Sequence, residues 1–193
     1  MKIGLLTLPL NLNYGGVLQA YALQNILSKM GHEVWLIDRV ENSSLDLKFT
    51  IKRMGRKILY PAPNPSHLHQ FIEQQITPKT KQIDSNKKMH QLKKMQMEAY
   101  IVGSDQVWRE KYCRSIKMNY FLDFVEDVKA LKIAYAASFG VDAWEYDEGQ
   151  TLTIRNLLHC FKAVSVREKS AVHLCKEFLD IDAQHLQIGR AHV

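Results

Sequence analysis

The sequence predicts an α/β fold, with a mostly parallel sheet and helices on both faces. Three observations carry this. Short apolar runs recur along the chain, each followed by a polar turn and then a helical pattern, and that alternation is how parallel strands joined by crossover helices read in sequence. The first run, residues 2–8, is nearly all apolar, as in a strand covered on both faces. Glycines stand where runs end, at Gly15, Gly16, Gly103 and Gly140, where backbone passes close to a neighbour or a ligand.

The strand at 2–8 runs into Asn13, Tyr14, Gly15 and Gly16. The paired glycines tolerate positive φ and close approach. A helix over 17–30 turns its free N–H groups back toward this turn, which makes it either one wall of a binding cleft or a plain tight connection. Ala20, Leu23, Leu27 and Met30 recur at helical spacing and form a buried stripe. Gly31 is placed to end the helix in the left-handed conformation. Residues 33–38 form the second strand, with Asp38 at its carboxyl end. An acid there holds a ribose in dinucleotide-binding units, but the preceding loop lacks G-x-G-x-x-G and no P-loop is present, so a nicotinamide cofactor is rejected.

Residues 40–97 read as a long helical insertion, of the kind that forms lids or partner surfaces. A basic helix is expected over 47–59, broken by Pro61, Pro63 and Pro65. A second short helix covers 67–75, and a strongly charged one covers 84–97. His67, His69 and His90 are read as surface residues.

Strand character returns over 98–103 and ends in Gly103, Ser104, Asp105, Gln106, Val107 and Trp108. Ser104 and Asp105 either cap a following helix or face a ligand; the density of donors and acceptors beside Trp108, whose ring suits stacking on a sugar, favours the ligand. Residues 120–124 form a short strand or a buried turn. The strand at 132–137, rich in small residues, ends in Ser138, Phe139 and Gly140. A helix over 148–161 leads to a strand at 163–166, and residues 167–170 open a helix running to 179. Arg167 beside that N-terminus suits a phosphate or carboxylate, or else pairs with Glu168. Right-handed crossovers bring such turns to one edge of the sheet, so residues 13–16, 103–108, 138–140 and Arg167 are expected to converge there.

The totals bound the rest. With 193 residues, 46% of them hydrophobic, the chain suits one domain with a real core. The net charge of +6 is concentrated in two clusters: Lys48, Lys52, Arg53, Arg56 and Lys57, then Lys79, Lys81, Lys87, Lys88, Lys93 and Lys94. These are solvated faces or contacts for anionic lipid headgroups. Nucleic acid is not expected, because the aromatics needed for stacking are not interleaved with the lysines. The three cysteines lack metal-ligand spacing, so no metal site is expected. No signal peptide or spanning segment is recognised, and the chain reads as cytoplasmic and reduced.

Taken together, the motifs resemble the polysaccharide pyruvyl transferase family. The carriers are Lys2-Ile3-Gly4, the stretch from Asn13 through Gln19 to Gln24, Gly31-His32-Glu33-Val34, Val102 through Trp108, Tyr135 through Gly140, and Ser165-Val166-Arg167-Glu168. The resemblance covers residues 1–180. It implies transfer of a pyruvyl group from phosphoenolpyruvate to a saccharide hydroxyl, forming a pyruvate ketal, with no cofactor beyond that donor. It implies a Rossmann-like domain that is the N-terminal half of a GT-B-like two-domain enzyme.

Such chemistry needs an acid for the enol carbon, a base for the attacking hydroxyl, and cations for carboxylate and phosphate. Asp105 is the candidate base or hydroxyl binder. Arg167 is the candidate anion clamp. Asn13, Tyr14, Gly15, Gly16, Gln19, Gly103, Ser104, Gln106, Trp108, Ser138, Phe139 and Gly140 are the remaining substrate-binding candidates. The acceptor is a saccharide or lipid-linked saccharide, with peripheral contact at the inner membrane face. The alternative is a non-catalytic module that uses its basic patches on anionic membrane or glycan surfaces. Residues 187–193 match a translated sequencing adapter, so the domain is expected to span 1–186, followed by a non-native tail, and the fragment alone is not expected to be active.

Overall fold

The computed structural model describes residues 1–10, 13–41 and 66–186. Among them, six strands form one sheet: β1 (Lys2–Leu6), β2 (Glu33–Ile37), β3 (Ala99–Gly103), β4 (Leu131–Ala137), β5 (Ala163–Val166) and β6 (Gln184–His185). Their order is β2-β1-β3-β4-β5-β6, and every neighbouring pair is parallel. The chain first steps from β1 out to β2, then returns to lay β3 on the other side of β1. That reversal opens a crevice at the carboxyl ends of β1 and β3, where open α/β sheets bind ligands.

The helices are α1 (Tyr14–Lys29), α2 (Ser66–Gln75), α3 (Asn86–His90), α4 (Glu110–Cys113), α5 (Glu148–Leu158) and α6 (Lys169–Leu179). Alternation along the strands sends side chains to two core layers. Ile3 and Leu5 of β1 join Ala99 and Ile101 of β3 under Val17, Ala20 and Leu23 of α1 and Leu68 and Ile72 of α2. Leu6, Tyr100 and Val102 face the other way, onto a layer with Trp108, Phe121, Ile154, Leu158 and Leu174. Both faces are covered, which is why these strands are apolar without interruption. The expected fold class is the observed one.

Several local expectations change. α1 begins at Tyr14, so Gly15 and Gly16 lie in its first turn rather than before it. Neither has positive φ; what matters at Gly16 is space, shown below. Met30 is 66% exposed, because α1 ends at Lys29 and the buried stripe runs through Val17, Ala20, Leu23 and Gln24. Gly31 closes the helix at φ +88 as expected. The charged stretch at 84–97 is not one helix: α3 gives way to a 3₁₀ turn over Gln91–Met95. Met89 and Leu92 are both buried, and a three-residue turn puts them on one side. Residues 120–124 are the end of a 3₁₀ helix over Arg114–Phe121 and the largely buried turn after it, not a strand. The expected helix at 47–59, Pro61, Pro63, Pro65, the first basic cluster and residues 187–193 lie outside the described residues.

Residues 78–83 run along the outer margin of β2. Leu36 N donates to Pro78 O at 3.1 Å, Thr80 N to Leu36 O at 2.9 Å, Ile83 N to Asp38 O at 2.8 Å and Val40 N to Ile83 O at 2.9 Å. This edge of the sheet is therefore covered. No helix among the described residues is long and apolar enough to cross a membrane.

Candidate functional site

The crevice begins with Asn13, whose side chain caps α1 by accepting from Gly16 N at 3.3 Å. Asp105, from the turn after β3, lies against the same helix start. A Cβ added to Gly16 would stand 2.9 Å from Asp105 Oδ2 and 3.3 Å from Asn13 Nδ2. Glycine at 16 thus lets two loops from opposite sides of the switch point touch. Asp105 Oδ1 accepts from Gln106 N at 2.7 Å, whereas Oδ2 is buried without a hydrogen-bond partner. One oxygen orients the carboxylate and the other is left for something else, since a buried acceptor without a donor is costly.

The turn after β3 is tight. Gly103 has φ +126 and its peptide to Ser104 is cis. A Cβ there would fall 2.1 Å from Tyr135 O, so no other residue fits. The turn is tied to the end of β4 in both directions: Ser138 N donates to Asp105 O at 3.2 Å, and Trp108 N donates to Ser138 O at 3.1 Å. Gly140 has φ +67, and a Cβ there would lie 2.5 Å from Gln106 Nε2. Arg109 Nη1 donates to Gly140 O at 3.3 Å.

The end of β5 completes the rim. Arg167 N donates to Ala137 O at 3.2 Å. Its Nε donates to Glu168 Oε1 at 2.7 Å, and Ser138 Oγ donates to the same oxygen at 2.6 Å. Contacts therefore run without a break from Asn13 through Gly16, Asp105 and Ser138 to Glu168 and Arg167. The loops expected to converge do so.

Not every candidate faces outward. Trp108 is 0% exposed. It stacks on Phe121 with centroids 5.4 Å apart and donates Nε1–H to Tyr120 O at 3.0 Å. Its ring offers no face to a sugar. Phe139 is likewise core, 5.3 Å from Trp108. Ser138 is 0% exposed and its hydroxyl serves Glu168, so it supports the rim from beneath; Ser104 is buried too. Tyr14 and Asn13 are exposed, and Gly16, Gln19, Asp105, Gln106 and Arg167 are half-buried. The ion pair weighed for Arg167 is formed.

Sequence reasoning missed three polar residues. Glu168 was read only as a counter-ion. Arg39 is buried and donates to Asn119 Oδ1 at 2.7 Å, Ile83 O at 3.1 Å and Asn86 Oδ1 at 3.1 Å. Tyr120 is buried and its hydroxyl has no partner. Burial foremost, then the Cys113 thiol, pushes that phenol well above its ordinary range, with Arg39 opposing. Arg39 and Tyr120 stand beside apolar runs, and only tertiary contacts distinguish them. No cluster of three or more metal-ligating side chains exists among the described residues.

A parallel sheet whose loops gather at a switch point is the arrangement in which open α/β folds hold ligands, at the carboxyl edge of the strands. The polysaccharide pyruvyl transferase profile matches residues 13–185, and the chain belongs to that family. The comparison with curated proteins gives no match.

Proposed function

We propose that the crevice between β1 and β3 is the acceptor side of a pyruvyl transfer from phosphoenolpyruvate to a saccharide. A saccharide hydroxyl adds to the enol carbon that bears the phosphate, while the methylene carbon takes a proton. A second hydroxyl then displaces phosphate and closes the ketal. Asp105 Oδ2 receives the proton of the attacking hydroxyl. Arg167 holds the donor's carboxylate or phosphate. Asn13, Tyr14, Gly16 and Gln19 shape the acceptor wall. A second Rossmann-like half, in a GT-B-like arrangement, supplies the opposite wall, and the acceptor is a saccharide or lipid-linked saccharide.

The observation that carries this reading is the half-committed Asp105 carboxylate at the switch point of a chain of this family: Oδ1 is held by Gln106 N, and Oδ2 is buried without a partner. A module that binds only through its basic patches is less well supported, since Lys88 pairs with Asp84 at 2.9 Å and Lys93 lies 3.9 Å from Glu126. The test is phosphate release from phosphoenolpyruvate by the full-length gene product, with and without a glycan acceptor. Release is expected only with the acceptor, and Asp105→Asn is expected to slow it by about 10²-fold or more. Release that ignores the acceptor, or an undiminished Asp105→Asn, overturns the proposal.

A further inference from the structure

We infer that Glu168 is a positioning residue, which orients Arg167 so that the free end of its guanidinium meets the anionic donor. This rests on the reading of the crevice given above and assigns to Glu168 a role beyond charge balance.

The geometry is a two-donor grip on one oxygen. Glu168 Oε1 accepts from Ser138 Oγ at 2.6 Å and from Arg167 Nε at 2.7 Å. Ser138 is itself immobile: it is fully buried, its N–H is held by Asp105 O and its carbonyl accepts from Trp108 N. The shared oxygen is therefore fixed to the floor of the rim. Arg167 is held at its backbone as well, by Ala137 O at 3.2 Å on one side and His185 Nε2 at 3.2 Å on the other. A guanidinium gripped at Nε keeps its two terminal amino groups for another partner. Among the described residues those groups make no hydrogen bond, and their planar fork matches a carboxylate or a phosphate.

Helix capping does not explain the acid. Glu168 occupies the N-cap position of α6 yet makes no capping bond. Its carboxylate is turned instead to Ser138 and Arg167, and Oε2 is buried without a partner. A fixed guanidinium loses less freedom on binding than a loose one, and that difference appears as affinity.

The experiment is a calorimetric titration of the full-length protein with phosphoenolpyruvate, using Arg167→Ala, Glu168→Gln and the double variant. Circular dichroism and the melting curve report the fold of each. Arg167→Ala is expected to lose most binding. Glu168→Gln is expected to weaken binding roughly threefold to tenfold and to add nothing in the Arg167→Ala background. Added guanidinium is expected to restore binding to Arg167→Ala better than to the double variant. If Arg167→Ala weakens binding and Glu168→Gln does not, or if the two losses add, the inference is overturned while the clamp stands. If Arg167→Ala binds like the parent, the clamp itself fails and Glu168 has nothing to position. Should Glu168→Gln not fold, Ser138→Ala replaces it: it releases the shared oxygen, a weaker complex is expected, and unchanged affinity overturns the inference.

Discussion

Asp105 and Trp108 stand three residues apart in one turn and went opposite ways. Both read as site residues, because a polar strand end beside an aromatic ring looks the same whether the ring faces a sugar or the core. Only the surrounding rings decide it, and Phe121 and Phe139 come from distant parts of the chain. Trp108→Ala should therefore cost about 3–5 kcal/mol of stability, read from urea unfolding, whereas a surface ring would cost little. Asp38 gives a pH test. It is buried, and burial lifts its carboxyl above the usual range against the pull of Lys79. The folded state then holds this proton more tightly than the unfolded one, so its contribution to stability is complete below the unfolded value and falls as pH rises through the folded one. Asp38→Asn should be more stable than the parent near neutrality, and the gap should close below about pH 4. A gap that widens on acidification would contradict this.

Elements were legible where local chemistry set their ends. α5 has a complete capping box: Asp147 Oδ1 accepts from Gln150 N at 2.8 Å, and Asp147 N donates to Gln150 Oε1 at 3.3 Å. The helix starts at Glu148, as read from the sequence, and this box fixes it there. Asp147→Ala should cost about 1 kcal/mol, measured by thermal or denaturant unfolding, and Gln150→Ala less. Residues 84–97 carry no comparable signal: their lysines favour a helix throughout, and burial of Met89 and Leu92 breaks it. The start of α1 was misplaced for the converse reason. Paired glycines read as a turn, but Asn13 caps the helix ahead of them, and Gly16 is required by the nearness of Asp105.

At the scale of the whole molecule, right-handed crossovers foretold both the parallel sheet and the gathering of its turns on one rim. Arg39 and Tyr120 were not foretold: Arg39 bonds to Asn119, 80 residues away, and the Tyr120 hydroxyl is buried without a partner, which nothing in the local sequence signals. The packed core also governs the thiols. Cys113 and Cys175 are buried and Cys160 is exposed. Burial raises the first, with Asp105 adding to it, and pushes Cys175 up to about 12. A thiol reagent should modify Cys160 alone in the folded protein, and the other two only as fast as the chain opens; rapid modification of three would mean the core is not closed.

The strip of chain at 78–83 that borders β2 also limits how copies can assemble. Stacking sheet to sheet into an endless ribbon needs two bare margins on each subunit, and here one is already occupied by the protein's own backbone. The β2 margin therefore offers no row of free backbone groups for a second copy to pair with, and one route to ribbon-like assembly is closed.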